Sequence, residues 1–169
     1  EPGRGTTFSV FLPAAMGEET GGPETAAPFL PRGEGELLLL VDDEPTNRDV
    51  AHATLARFGY RVLAAASGTE AVALFVPRAD EIRLVITDLN MPDLDGAGLA
   101  RVLLGIRPGI RILAVSGLSA RPAAGGGAPD EFADGYLSKP FKPDSLLLKV
   151  HQLLMLPPRA SLFPGKLLS

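Results

Sequence analysis

Short runs of apolar and β-branched residues alternate with segments of helical period along most of this chain. The runs occupy residues 37–41, 61–64, 83–87, 110–115 and 135–138. Parallel strands need crossover connections, usually helices, so this alternation predicts an α/β fold with a doubly wound, five-stranded parallel sheet. Open sheets of this kind bind ligands outside the carboxyl ends of their strands, where the strand order reverses. We therefore expect the functional residues just after the strands.

Four helices can be bounded by capping residues and apolar spacing. The first follows Pro45 and ends at Gly59, and the second starts at Ser67, whose spacing to Glu70 predicts a capping box. The third follows an N-cap at Asp95, and the last begins near residue 143. The predicted buried positions are Ala51, Leu55 and Phe58, then Ala71, Leu74 and Phe75, then Leu99, Val102, Leu103 and Ile106, and finally Leu146, Leu147, Val150, Leu153 and Leu154.

The composition excludes several classes of function. Sixteen Lys and Arg against twenty Asp and Glu give a net charge of −4, so the chain lacks the basic character of a nucleic-acid-binding protein. Without any Cys it has no disulfide, thiolate metal site or cysteine nucleophile. No apolar run reaches the roughly 18 residues of a membrane span, and the N-terminus lacks a signal-peptide pattern. We expect a cytoplasmic location, and the first residue, Glu1 rather than Met, suggests a piece of a longer protein.

Charged and hydroxyl-bearing residues follow four of the predicted strands. They are Asp42, Asp43 and Glu44 after the first strand, Asp88 after the third, Ser116 after the fourth and Lys139 after the fifth. Because the carboxyl ends of parallel strands meet at one edge of a sheet, we expect these side chains to lie together. Clustered carboxylates repel one another unless a cation neutralises them, and oxygen ligands without His or Cys favour Mg²⁺ or Mn²⁺. With a Lys and a Ser to hold an oxyanion, this set is equipped for phosphoryl transfer to a carboxylate.

The segments LVDDEPTNR, VITDLNMPDLDG, AVSG and GYLSKPF closely resemble the receiver domains of two-component response regulators. They occur in the family's order over about residues 36–156. The resemblance implies a flavodoxin-like (βα)₅ fold in which Asp88 accepts a phosphoryl group from a phosphohistidine. A histidine kinase or a histidine phosphotransfer domain would be the donor, and phosphorylation would change a protein-interaction surface.

The resemblance also implies a role for each neighbour of the phosphoacceptor. Mg²⁺ would be held by Asp43, by Asp88 and by the backbone carbonyl of Asn90, with Asp42 in support.

Three further roles follow from the same resemblance. Ser116 and Lys139 would bind the phosphoryl group, and Tyr136 would be the aromatic switch residue that moves inward on phosphorylation. Pro140 stands where the family commonly has a cis peptide bond.

The chain divides into four predicted parts. Residues 1–13 resemble the closing strands of the ATP-binding domain of histidine kinases, residues 14–35 form a Gly-, Pro- and Glu-rich linker, residues 36–156 form the receiver, and residues 157–169 form a tail. This order predicts the end of a hybrid sensor histidine kinase, whose own kinase core could be the donor. The chain alone would be a phosphoacceptor rather than an enzyme.

One stretch departs from the family. Between the last two strands, receivers normally have a further helix, the fourth of their fold. Here the stretch LSARPAAGGGAPDEFADG contains two prolines and three consecutive glycines, each unfavourable inside a helix, so that helix should be short, displaced or mobile. Two minor expectations concern other titratable residues. Glu44 should be solvated or contact the metal only through water, and His52 and His151 should be surface or boundary residues rather than phosphodonors.

Two alternatives to a phosphoacceptor receiver stay open. A degenerate receiver would keep the fold and act only as a protein-binding module, which the complete set of acidic, Ser and Lys residues argues against. A phosphatase of the haloacid-dehalogenase type also uses an Asp nucleophile and Mg²⁺. That class expects an acid two residues after the nucleophile, where this chain has Asn90.

Overall fold

The computed structural model describes residues 30–92, 94–117 and 132–157. The predictions for residues 1–13, for most of the 14–35 linker, for the fourth helix of the family within 118–131 and for most of the 157–169 tail fall outside these ranges.

The five strands form one parallel sheet. They are β1 (Leu37–Val41), β2 (Arg61–Ala65), β3 (Ile82–Asp88), β4 (Arg111–Gly117) and β5 (Gly135–Lys139). Their order in the sheet is β2-β1-β3-β4-β5, and every neighbouring pair is parallel. The predicted fold is confirmed. All five residues of β1 are buried, which explains its unbroken apolar run, because a central strand of such a sheet is covered on both faces.

The described helices cover both faces of the sheet. They are α1 (Pro45–Arg57), α2 (Gly68–Phe75) with a short 3₁₀ turn after it (Val76–Arg78), α3 (Gly96–Ile106) and α4 (Pro143–Leu154). Residues of α1 and α4 pack in one core cluster, and residues of α2 and α3 pack in the other. In the part of the chain that the structure describes, no helix is both long and apolar enough to span a bilayer.

The predicted N-caps of α2 and α3 hold. The Ser67 hydroxyl accepts a hydrogen bond from the backbone N–H of Glu70 (3.2 Å), and the Asp95 carboxylate accepts one from Gly98 (2.6 Å). The reciprocal bond of the capping box differs from the expected one. The Glu70 carboxylate accepts from the N–H of Ala66 (2.8 Å), one residue before the N-cap. Ser67 and Glu70 thus cap the N-terminal turn of α2 as predicted, but the amide that Glu70 accepts from is that of Ala66 instead of Ser67.

The buried face of α3 is rotated from the prediction. Leu99 and Leu103 are buried as expected, but Val102 and Ile106 are 41% and 44% exposed. Ala100, which an apolar-spacing argument gave no weight, is 1% exposed. A small residue on the inner side lets the helix lie close to its neighbours, so the contact surface shifts toward Ala100 and away from the larger side chains.

The segment before β1 packs against the turn between α1 and β2. The N–H of Gly33 donates to the carbonyl of Phe58 (2.8 Å), and the N–H of Gly35 donates to the carbonyl of Gly59 (3.0 Å). The guanidinium of Arg32 lies 5.7 Å from the centre of the Phe58 ring. These contacts join residues at the end of the predicted linker to the amino edge of the sheet.

Candidate functional site

Three carboxylates meet at the point where the strand order reverses. Asp42 and Asp43 follow β1, and Asp88 ends the neighbouring strand β3. From β1 the chain crosses to β2 on one side, while β3 lies on the other, so the loops after β1 and β3 leave a crevice between them. Oxygen atoms of the three side chains lie within 4.8 Å of one another. Asp42 and Asp88 are buried and Asp43 is exposed, so one carboxylate of the cluster faces solvent.

The ammonium group of Lys139 connects the two buried carboxylates. Its Nζ atom lies 2.6 Å from Oδ2 of Asp42 and 2.6 Å from Oδ2 of Asp88. The side chains of the two acids are 9% and 10% exposed and that of Lys139 is 19% exposed, so these ion pairs are weakly screened by solvent. Lys139 therefore partly neutralises the repulsion between the two acids.

Backbone amides occupy the other oxygen of each buried carboxylate. The N–H of Glu44 donates to Oδ1 of Asp42 (2.9 Å), and the N–H of Asn90 donates to Oδ1 of Asp88 (2.9 Å). Each acid is thus held by one amide of its own loop and by the ammonium group from β5. Such complete hydrogen bonding keeps buried charged groups in fixed orientations.

The pKa of Lys139 is raised by its surroundings. Burial disfavours the ammonium form, but the hydrogen bonds to Asp42 and Asp88, together with the charges of the same two carboxylates, outweigh burial and raise the pKa above its usual 10.5. Lys139 is consequently a permanent cation at neutral pH, as a group that binds a phosphoryl oxyanion must be.

Of the remaining predicted site residues, Ser116 lies near the same edge, whereas Tyr136 is the second residue of β5. Ser116 is half-buried near the end of β4, one position beyond the residue that pairs with Asp88, and it pairs with Ser138 of β5. Tyr136 is half-buried on β5 and packs against the α2–α3 core cluster. The Lys139–Pro140 peptide bond is cis, as the resemblance implied. Lys139 is in direct contact with Asp42 and Asp88. The positions of Ser116 and Tyr136 follow from the strand register.

The other titratable residues considered in the sequence analysis lie at the surface or near it. Glu44 is exposed, and its carboxylate accepts a hydrogen bond from the side chain of Asn47 (2.9 Å). His52 is exposed and His151 is half-buried, so both lie at the surface or boundary as predicted.

Two residues important for the site's geometry were not singled out from the sequence. The guanidinium of Arg48 donates to the backbone carbonyl of Asp42 (2.7 Å). A Cβ atom at Gly96 would lie 2.2 Å from the carbonyl oxygen of Asp88, so only glycine lets α3 begin so close to the end of β3. The Asp-Gly pair at the helix cap was a sequence signal for Gly96. Arg48 is the last residue of the motif LVDDEPTNR, but nothing in that motif indicates its contact with the Asp42 carbonyl.

The donor set fits a divalent cation of the Mg²⁺ or Mn²⁺ type. It consists of carboxylate oxygens, and two ligands on opposite sides of Mg²⁺ lie about 4.2 Å apart. Separations of up to 4.8 Å among the three acids require only small side-chain adjustments. The exposed Asp43 leaves one side open, where the ion could keep water ligands.

A family model for the response regulator receiver domain matches residues 38–151. The chain belongs to this family. The chain is 34% identical over 161 residues to the sensor kinase CckA of Brucella abortus (strain 2308) and 37% identical over 105 residues to the sensor protein EvgS of Escherichia coli (strain K12). These matches take in 91% and 60% of this chain, but only 17% and 8% of the two relatives' own lengths.

Solved receiver structures have the same fold. The receiver domain of the hybrid histidine kinase CckA superposes with a TM-score of 0.59 at 30% identity, covering 70% of this chain and 98% of that one. A CheY-like receiver domain protein from Methanospirillum hungatei JF-1 superposes with a TM-score of 0.64 at 30% identity, covering 71% and 94% of the two chains. The expected family is therefore confirmed by sequence and by structure.

Proposed function

We propose that this receiver accepts a phosphoryl group from a phosphohistidine onto Asp88 and thereby switches a protein-interaction surface. The observation that carries the proposal is the contact set of Asp42, Asp43, Asp88 and Lys139. Two further acids and one cation beside the buried Asp88 carboxylate are suited to the transfer of a phosphoryl group to that carboxylate.

In the proposed reaction an oxygen of the Asp88 carboxylate attacks the phosphorus atom. The P–O bond to Asp88 forms as the P–N bond breaks, and the electron pair of that bond stays on the imidazole nitrogen, which takes up a proton. Asp43, Asp88 and the backbone carbonyl of Asn90 would hold Mg²⁺ or Mn²⁺, with Asp42 in support. Such an ion supplies positive charge beside the phosphoryl oxygens when it is bound.

Lys139, Ser116 and Tyr136 take the other roles in this proposal. The ammonium of Lys139 already contacts Asp88, so a small shift brings it to an oxygen of the new phosphoryl group. The Ser116 hydroxyl donates to another oxygen, and Tyr136 moves inward as Ser116 is drawn toward the phosphate. The surface around β4 and β5 then changes and reports the phosphorylation.

The phosphodonor is proposed to be a histidine kinase or a histidine phosphotransfer domain. A groove of about 360 Å³ lies beside Lys139, and Val50 and Phe141 are among the side chains that line it. Val50 is 58% exposed, which gives a donor domain an apolar contact in the groove beside Lys139.

We further propose that the chain derives from a hybrid sensor kinase. The match with CckA takes in 91% of the chain, more than residues 30–169 make up, so it includes part of the N-terminal segment that was predicted to be kinase remnant and linker. The assignment of residues 1–13, the activity of the whole protein and a cytoplasmic location stay predictions.

The test is incubation with acetyl phosphate and Mg²⁺, followed by intact-protein mass spectrometry. We expect the wild type to gain the mass of one phosphoryl group, in a form that alkali removes, as an acyl phosphate requires. Asp88→Asn should gain nothing, whereas the matched control Asp49→Asn, which changes an exposed acid on α1, should behave as the wild type.

The same experiment separates the alternatives. An unmodified wild type would contradict the proposal and favour a receiver that signals by contact alone. Sustained hydrolysis of small phosphate esters would favour the phosphatase, for which the matching family model and relatives give no support.

A further inference from the structure

We propose that Arg48 is a positioning residue that fixes the direction of Asp43 and so strengthens the binding of a divalent cation by the three carboxylates. The inference rests on the proposed function, because it assigns to Arg48 a part in the same cation site. Arg48 lies in the first turns of α1, five residues after Asp43.

The contact is made to the backbone rather than to a carboxylate. The Nη1 atom of Arg48 lies 2.7 Å from the carbonyl oxygen of Asp42, and the side chain is half-buried. A hydrogen bond from a charged donor in such a place is stronger than one between neutral groups. Its effect is therefore exerted on the Asp42–Asp43 peptide.

Every other polar group of Asp42 is also held. Its N–H donates to the carbonyl of Ala65 on β2 (3.2 Å), Oδ1 accepts from the N–H of Glu44, and Oδ2 accepts from Lys139. The hydrogen bond from Arg48 is made to the Asp42 carbonyl, which belongs to the peptide group that connects Asp42 to Asp43.

Planarity of the peptide bond transmits this restraint to Asp43. The carbonyl of Asp42, the N–H of Asp43 and the two Cα atoms lie in one plane, so fixing the carbonyl fixes the direction in which the chain enters Asp43. The N–H of Glu44, on the far side, is tied to Asp42 as well. Asp43 is exposed, and these two hydrogen bonds, one on each side of it along the backbone, hold its carboxylate near Asp42 and Asp88.

Charge and positioning predict opposite effects of removing Arg48. As a nearby positive charge, Arg48 repels a divalent cation, so its loss would tighten cation binding if charge were all that mattered. As a positioning residue, it pre-organises a ligand, so its loss should weaken binding about tenfold, the usual effect of removing a group that orients a metal ligand. The sign of the change therefore decides between the two roles.

The experiment is calorimetric titration of Mg²⁺ into the metal-free full chain. We expect Arg48→Met to weaken Mg²⁺ binding about tenfold and Arg48→Lys, which keeps a charged donor, to recover a large part of the loss. Arg57→Met removes an exposed Arg from the last turn of the same helix and should change the affinity less than twofold. Amide hydrogen exchange at Glu44 should be faster in Arg48→Met, since the backbone from Asp42 to Glu44 is then held less firmly.

The fold of each variant is checked by circular dichroism. Arg48→Gln keeps a polar side chain that is too short for the contact, and it replaces Arg48→Met should that variant unfold. Unchanged or tighter Mg²⁺ binding by a folded variant overturns the role of Arg48, while Asp88 phosphorylation of the wild type still upholds the proposed function. A wild type without Asp43-dependent Mg²⁺ binding overturns both.

Discussion

At the carboxyl edge of the sheet, each oxygen of the buried Asp42 and Asp88 side chains accepts a hydrogen bond. At the amino edge, the hydroxyl of Tyr60 is also buried but is not hydrogen-bonded in this way. Tyr60 is 4% exposed and has no partner for this hydroxyl among the residues that the structure describes. Its ring packs against the backbone of Gly33, where an added Cβ would lie 2.4 Å from the ring. The carboxyl edge is organised by ion pairs and by hydrogen bonds to carboxylates, and the amino edge by backbone hydrogen bonds and close packing.

The difference reflects what each edge has to do. A neutral hydroxyl that is buried without a hydrogen bond costs less free energy than an isolated buried charge. The amino edge joins the preceding segment to the sheet, through backbone hydrogen bonds and packing. The carboxyl edge brings two buried carboxylates close together, which requires hydrogen bonds from Lys139 and two backbone amides. Four substitutions test this contrast through the free energy of unfolding.

Lys139→Met should have the largest effect. In EDTA it leaves two buried carboxylates without their cation, and we expect the free energy of unfolding to fall by about 3 kcal/mol. Urea unfolding followed by circular dichroism measures the change, with the exposed Lys142→Met as the control. Equal stability of Lys139→Met and wild type would show that the carboxyl edge does not depend on this ion pair.

Gly33→Ala should have the next largest effect, at the amino edge. The new methyl group meets the buried Tyr60 ring at 2.4 Å, and overpacking of this kind costs about 2 kcal/mol. Gly109→Ala is the control, because a Cβ there meets nothing within 4 Å. If the two variants were equally stable, the packing of the segment before β1 would contribute little to the fold.

Asp43→Ala should have a smaller effect whose sign depends on the metal. Without Mg²⁺ it relieves repulsion at the carboxyl edge and should raise the free energy of unfolding by roughly 0.5 kcal/mol. With saturating Mg²⁺ the order should reverse, because ligand binding to the folded state stabilises the wild type more than the variant. Asp49→Ala, another exposed acid, should show no such reversal. If Mg²⁺ stabilised Asp43→Ala and Asp49→Ala to the same extent, Asp43 would not be a ligand of the cation.

Tyr60→Phe should have the smallest effect at neutral pH. It removes a buried hydroxyl without a partner among the described residues, so the free energy of unfolding should change by less than about 0.5 kcal/mol. A loss of 1 kcal/mol or more in the urea experiment would show that the hydroxyl does contribute a hydrogen bond.

Alkaline pH should bring out the role of this hydroxyl. Burial, and then the charge of Glu36, raise the pKa of Tyr60 above its usual 10. The folded state thus favours the neutral phenol, and this stability is present below pH 10 and is lost as the pH rises through the folded-state pKa. Lys139, whose pKa is also raised, loses its contribution above about pH 10.5. Tyr60→Phe should therefore lose less stability than the wild type between about pH 10 and 12.

Much of the carboxyl edge could be predicted from the sequence. Parallel strands place the residues that follow them at one edge, so Asp42, Asp43, Asp88 and Lys139 could be grouped without coordinates. The helix N-caps at Ser67 and Asp95 were local patterns of the same kind, because the capping side chain and the amide it accepts from are three residues apart. Long-range contacts carry no such local signal.

Local patterns determined the strands, the helix starts and the order of the acidic and basic residues along the chain. The tertiary structure alone decided which side of α3 is buried, that Arg48 contacts the Asp42 carbonyl, and that Tyr60 lies under Gly33. The physical reason is range: periodicity and capping depend on residues within a turn or a strand. A side chain that contacts backbone outside its own turn, helix or strand, as those of Arg48 and Tyr60 do, depends on how whole elements fit together.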